Sequence, residues 1–248
     1  MVSIKSIKLD SVNNAKRVVL KVGSALIVDP KTGSIKESWV KSLVKDILFL
    51  LNKNKEILIV SSGAIALGKS ELGLQNKSLK LSEKQAAAAT GQILLAKAWK
   101  SIFEEIDIKC GQILVGHSDL ETRRNAMNMR ATLNTLLKLN VIPIINENDT
   151  VATLEIRYGD NDQLAARIAQ LVEADVLILL SDIDGLYSQD PKNSPNAKFI
   201  EEITHISSDI NSVKKVFSTY SLTDGLSEKK YNNVINDCLL YTSPSPRD

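Results

Sequence analysis

The chain has 248 residues, 44% of them apolar and 24% charged, with a net charge of +2. That is enough for one large α/β domain or two small ones of ordinary globular composition. So even a charge balance, with aromatics at only 4%, excludes the basic stripe with stacking rings that a nucleic-acid partner requires.

The cysteines Cys110 and Cys238 and the histidines His117 and His205 form neither a disulfide framework nor a metal-ligand spacing. There is no apolar N-terminal signal segment and no apolar run of membrane-spanning length. The expectation is a cytoplasmic protein with no nucleic-acid and no membrane partner.

Residues 1–14 read as an N-terminal extension. Arg17–Val22 is a Val- and Leu-rich run with little alternation, the pattern of a strand covered on both faces. It leads into Lys21-Val22-Gly23-Ser24. A lysine at a strand end, and a glycine that lets N–H groups approach anionic oxygens, suit a phosphate. A strand-edge lysine beside a turn glycine is the alternative, and the P-loop spacing is absent. Glu37–Leu51 places Val40, Leu43, Val44, Ile47 and Leu51 near helical spacing.

The next strand, Ile57–Val60, is followed by Ser61-Ser62-Gly63-Ala64-Ile65. Small residues there let a helix N-terminus point its N–H groups at an anion, or simply make a tight turn. Ser82-Glu83-Lys84-Gln85 reads as a capping box, with Ser82 as cap and Gln85 reaching back. It opens a long Ala-rich helix to about Ile106. A strand at Gln112–Val115, a helix at Arg124–Leu139 ended by Asn140, and a strand at Val141–Ile145 follow.

That strand closes on Asn146-Glu147-Asn148-Asp149, and Gly159-Asp160-Asn161-Asp162 then opens a helical stretch to about Glu173. The last apolar run, Val176–Leu180, leads into Ser181-Asp182-Ile183-Asp184-Gly185-Leu186-Tyr187 and the turn signal Asp190-Pro191. Strands alternating with helices predict an α/β fold, a mainly parallel sheet with helices on both faces. Small ligands of such sheets bind beyond the carboxyl ends of the strands. One cluster of Asn, Asp and Gly is usually turns and caps. Two clusters flanking one strand–loop–helix step suit a ligand that carries an ammonium group.

Lys21-Val22-Gly23-Ser24, Ser61–Ile65, Asn146–Asp149, Gly159–Asp162 and Ser181–Tyr187 with Asp190-Pro191 occur in this order. Together they resemble the amino acid kinase family, and within it the enzymes that phosphorylate free glutamate. The resemblance covers roughly residues 15–205 and implies a three-layer αβα sandwich. It implies transfer of the γ-phosphoryl of ATP, with Mg2+, to the side-chain carboxylate of L-glutamate, the first step of proline biosynthesis. By that resemblance Lys21, Asp162 and Lys229 are catalytic. Ser62, Gly63, Asp149, Asp160 and Asn161 bind glutamate. Lys21, Gly23, Ser24, Ser181, Asp182, Thr223, Gly225 and Lys229 serve ATP, with Gly23, Ser24 and Gly63 offering N–H groups to the moving phosphoryl. No metal ligand is assigned. Relatives also imply a homo-oligomer and proline as feedback inhibitor.

The chain departs from this branch near its end. A Thr-Gly-Gly-Met-x-Thr-Lys segment falls here at Thr223-Asp224-Gly225-Leu226-Ser227-Glu228-Lys229, with Asp224 and Glu228 adding carboxylates near a triphosphate. The expectation is therefore a kinase domain over residues 15–217, incomplete at its C-terminal end. A divergent, poorly ordered tail over 218–248 follows, with no RNA-binding-like C-terminal domain. The rival functions are a kinase for acetylglutamate, aspartate or a nucleoside monophosphate, and a non-catalytic homologue that binds glutamate or proline. A folding-incompetent fragment is the third alternative.

Overall fold

The computed structural model describes residues 9–75, 77–116, 119–151, 161–182, 186–188 and 194–200. Within the N-terminal extension lies a short helix, α1 (Leu9–Asn14). Buried Lys55 ties its end to the domain, donating to the Asn13 and Ala15 carbonyls at 2.7 and 2.6 Å. An ammonium suits the carbonyl end of a helix, where acceptors lack intrahelical partners.

Five parallel strands build the sheet: β1 (Arg17–Val22), β2 (Glu56–Ser61), β3 (Lys109–Val115), β4 (Val141–Glu147) and β5 (Val176–Leu180). Their spatial order is β3-β4-β2-β1-β5. All five expected strands are present. β3 and β4 run further than the apolar runs suggest, because the ladder continues through polar residues, pairing Lys109 with Val141 and Val115 with Glu147. The register places Lys21 opposite Val60 and Leu179, and Val22 opposite Ser61 and Leu180. Gly23, Ser62 and Ser181 therefore leave the sheet side by side.

Six further helices are α2 (Ser24–Ile27), α3 (Glu37–Leu51), α4 (Ala64–Glu71), α5 (Leu81–Glu104), α6 (Arg123–Lys138) and α7 (Asn161–Leu171). Alternation along β1 divides the core. Val18, Leu20 and Val22 pack with residues of α3, α4 and α5, while Val19 packs with residues of α6 and α7. Helices thus cover both faces, as a parallel sheet requires, and the three-layer αβα sandwich is the observed architecture. A two-residue antiparallel ribbon, β6 (Leu186–Tyr187) with β7 (Phe199–Ile200), lies outside the main sheet.

Left-handed residues follow the ends of α3, α5, α6 and α7: Asn54, Asp107, Asn140 and Glu173, at φ of 54–58°. Such a residue cannot continue a right-handed helix. This stops α5 at Glu104 and α7 at Leu171, short of the expected Ile106 and Glu173. The capping box also corrects. The helix starts one residue before Ser82, and Glu83, not Gln85, reaches back to accept from the Lys80 N–H at 2.7 Å. With the helix beginning at Leu81, the third helical position falls on Glu83, the site from which a carboxylate reaches the cap.

α4 and α5 touch backbone to backbone. A Cβ on Gly68 would stand 1.7 Å from the Ala87 carbonyl oxygen, and one on Gly91 would stand 1.8 Å from that of Ala64. Among the described residues no helix is long and apolar enough to cross a membrane. The expected tail at 218–248, His117, His205, Cys238 and the Asp190-Pro191 turn lie outside the described residues.

Candidate functional site

β1 alternates so that Lys21 shares the α7 side of the sheet with Val19. Its ammonium lies 2.6 Å from Oδ1 of Asp162 in the first turn of α7, with the lysine side chain 13% exposed. The apolar strand fixes the lysine's backbone, and the carboxylate fixes its charged end. Lys21 and Asp162 are thus brought together, as the sequence leads one to expect.

Gly23 contributes differently from expectation. Its N–H donates to the Leu180 carbonyl at 3.1 Å, continuing the β1–β5 ladder past the strand end, so that donor is not offered to a ligand. What the glycine supplies is room: a Cβ would stand 3.3 Å from the Leu180 oxygen and 3.7 Å from the Lys21 ammonium. Ser24 follows as the first residue of α2 and is exposed.

At the tip of β2, Ser61 is fully buried and its hydroxyl accepts from the Trp99 indole N–H of α5 at 2.9 Å. Ser62 comes next, and its N–H donates to the Val22 carbonyl at 3.0 Å. The chain then turns at Gly63, whose φ of 115° is open to glycine and strained for other residues. α4 starts directly after that turn, and the first N–H groups of a helix lack intrahelical partners.

Three amides join this tip to β4 and α7. Asn161 Nδ2 donates to Ser62 Oγ at 2.6 Å and to Asn146 Oδ1 at 3.1 Å. Asn146 Nδ2 donates to Gln92 Oε1 of α5 at 2.7 Å. Asn146 is 3% exposed, and buried amides are expected to be matched in this way. Among the described residues, Asn161 Oδ1 is buried with no hydrogen-bond partner. Ser62 and Asn161 were legible in the sequence. Asn146 was visible only as part of a polar cluster, and Gln92, inside an Ala-rich helix, carried no local signal.

Past β4 comes a single 3-10 turn, Asp149–Val151. Burial raises the Asp149 carboxyl to a pKa of about 6, and among the described residues no charge or hydrogen bond opposes it. A buried carboxylate without a cation is costly to ionise. Because the folded pKa lies above the unfolded one, the protonated form favours folding. That contribution is complete below about pH 4 and is lost as pH rises through about 6. Relative to Asp149→Asn, the parent is expected to lose on the order of 2 kcal/mol of stability between pH 4 and pH 7. Denaturant midpoints of both proteins across that range check this; parallel profiles would show that the carboxyl titrates normally.

Ser181 and Asp182 follow β5 and are exposed, with the serine hydroxyl 3.3 Å from Asp182 Oδ1. They lie across β1 from Ser62 and Asn146, so Lys21 stands on the strand between the two groups. Asp160, Thr223, Gly225 and Lys229 lie outside the described residues. Among the described residues no three His, Cys, Asp or Glu side chains are grouped to hold a metal.

A parallel sheet with cation, carboxylates and amides gathered at its strand tips is the arrangement of a ligand-binding open α/β protein. The model of the amino acid kinase family matches residues 16–227, and the chain belongs to that family. It is 50% identical over 239 residues to the glutamate 5-kinases of Brucella ovis and Brucella canis. The match takes in 95% of this chain and 63% of each relative, so the chain spans somewhat under two thirds of their length. Among solved structures, a UMP kinase from Bacillus anthracis superposes with a TM-score of 0.55 at 12% identity, covering 90% of this chain and 84% of that one. A UMP kinase from Ureaplasma parvum gives 0.54 at 17% identity, covering 90% and 87%. At such identities the likeness concerns the fold alone.

Proposed function

We propose that the chain phosphorylates the side-chain carboxylate of L-glutamate with ATP, giving L-glutamyl 5-phosphate. The observation that carries this reading is a pair of acceptors beyond β4: the half-buried Asp149 carboxyl, which has no cation beside it among the described residues, and Asn161 Oδ1, which among those residues is buried without a donor. An α-ammonium group supplies both a charge and N–H donors to such acceptors. The names of the 50%-identical relatives support the same substrate.

A carboxylate of pKa about 4.3 is already ionised at neutral pH and needs no general base. The difficulty is that two anions meet, which cations and positioning must relieve. One carboxylate oxygen forms a bond to the γ-phosphorus, the bond from that phosphorus to the β–γ bridging oxygen breaks, and ADP leaves. In this reading Asp149, Asn161 and Ser62 hold glutamate on the β2–β4 side. Ser181 and Asp182 lie towards the nucleotide on the β5 side. Lys21, held by Asp162, offsets phosphate charge between them. Gly23 keeps the approach open, and Ser24 and Gly63 present backbone N–H groups. Asp160 belongs with the glutamate ligands, and Thr223, Gly225 and Lys229 with the nucleotide, by resemblance. Mg2+ would be held chiefly by phosphate oxygens and water, supplying further charge neutralisation. The reading carries with it a cytoplasmic homo-oligomer inhibited by proline.

The test is ADP release with L-glutamate, N-acetyl-L-glutamate and L-aspartate as acceptors, alongside calorimetric binding of glutamate and ATP. Turnover is expected with glutamate. Acetylation removes the ammonium charge and should abolish it. Activity on the acetylated acceptor alone would overturn the substrate assignment. Glutamate binding with no ATP binding would make the chain a binding protein instead.

A further inference from the structure

We propose that Gln92 of α5 is a positioning residue that keeps the carbonyl oxygen of Asn161 turned towards the substrate ammonium, and so sets the preference for an amino acid over a plain dicarboxylate. The inference rests on the glutamate reading above and goes beyond it. Gln92 touches neither reacting group. It acts through Asn146.

A chain of amides has a direction. Each carboxamide has an acceptor at one end and donors at the other, so turning one over forces its neighbour to turn. Here Gln92 Oε1 accepts from Asn146 Nδ2, which leaves Asn146 Oδ1 to accept from Asn161 Nδ2. The Asn161 amide is thereby held with its nitrogen on Asn146 and Ser62 and its oxygen unmatched. Remove the acceptor at Gln92, and buried Asn146 has an unpaired Nδ2. The cheapest remedy is for Asn146 to turn and donate to Asn161 Oδ1. That consumes the oxygen the ammonium needs and turns an N–H2 group towards a cation.

The placement of Gln92 has its own cause. The adjoining residue, Gly91, lets α5 lie directly on α4, with its Cα side facing the Ala64 carbonyl. On the same helix, Trp99 pins Ser61 at the end of β2. α5 is therefore held against α4 and against the tip of β2, and from there Gln92 meets Asn146 of β4.

The experiment is calorimetry of the whole chain with L-glutamate and with glutarate, which has both carboxylates and no amine, for the parent, Gln92→Met and Gln92→Glu. Gln92 is only half-buried, so neither substitution opens a core cavity. The methionine variant removes the acceptor at similar length, and its glutamate affinity is expected to fall about ten-fold or more while glutarate affinity stays within about two-fold. The glutamate variant is an acceptor only, so it holds Asn146 in the observed direction and should restore glutamate affinity to within about three-fold of the parent. Equal loss of both ligands in the methionine variant would mean a structural role and overturn the proposal. So would undiminished glutamate binding, or a Gln92→Glu protein as impaired as Gln92→Met. If the parent binds no glutamate, the substrate reading itself fails and this inference falls with it, an outcome distinct from the others.

Discussion

Replacing Lys21 with alanine is expected to lower the proposed glutamate phosphorylation at least about ten-fold, each decade corresponding to roughly 1.4 kcal/mol of transition-state stabilisation. Glutamate affinity should stay nearly intact. The split follows from the sheet order. The groups assigned to the amino acid stand on β2, β4 and α7, while Lys21 stands on β1 between them and β5. Its ammonium is held 2.6 Å from Asp162 and is largely shielded from water, where a charge acts more strongly on a neighbouring anion than it does in bulk solvent. Lys21→Arg should not restore the rate. The guanidinium is a planar fork rather than a compact point charge, and the space beside Gly23 is narrow. Steady-state ADP release gives the first quantity and calorimetry the second. Turnover equal to the parent would remove Lys21 from its role, and a large loss of glutamate affinity would place it on the amino-acid side.

Gly68→Ala should be, together with its counterpart Gly91→Ala, among the most damaging single methyl groups in the described part of the chain. The added Cβ would meet the Ala87 carbonyl oxygen at 1.7 Å, the Ala87 carbonyl carbon at 2.5 Å and the Gly91 nitrogen at 2.9 Å. All three are backbone atoms of α5, so no side chain can swing away and the helices must separate. Overpacking costs about 1–3 kcal/mol or more, and for a chain of this size each kcal/mol is worth roughly 2–4 °C in Tm. A fall of about 5–10 °C is expected by circular dichroism. Glutamate affinity should fall too, since α4 begins directly after Ser62 and Gly63. Gly73→Ala is the contrasting case. Its φ of +64° strains a side chain, but nothing lies within 4 Å of the added atom, so only about 1 kcal/mol is at stake. If the two variants melt together, the close α4–α5 approach is not what Gly68 protects.

The strands and the major helices were legible because each announces itself within a few residues. Arg17–Val22 and Val176–Leu180 are apolar runs that only a two-sided strand can bury. Glu37–Leu51 shows its buried stripe directly, and the observed helix has those same limits. Boundaries were less legible where a polar residue takes a regular conformation. Lys109 and Asn146 belong to strands because a neighbouring strand pairs with them, and nothing local says so. The cap, at Lys80, was misplaced by two residues because serine is the better cap in isolation, whereas the helix starts at Leu81, where Glu83 reaches back to Lys80.

The site divides along the same line. Sequence pattern by itself determined the parallel α/β architecture, the strand tips at Lys21, Ser62 and Ser181, and the acidic residues Asp149 and Asp162, since strand ends and helix starts are written in local composition. Only the tertiary structure decided that the Gly23 N–H belongs to Leu180, that Asp149 is half-buried with no cation beside it among the described residues, and that Gln92 and Asn146 complete the amide chain to Asn161. Each of these depends on which strand lies beside which and on how closely α5 crosses them. Such contacts join residues tens to well over a hundred positions apart, so the short-range periodicity of the chain holds no record of them.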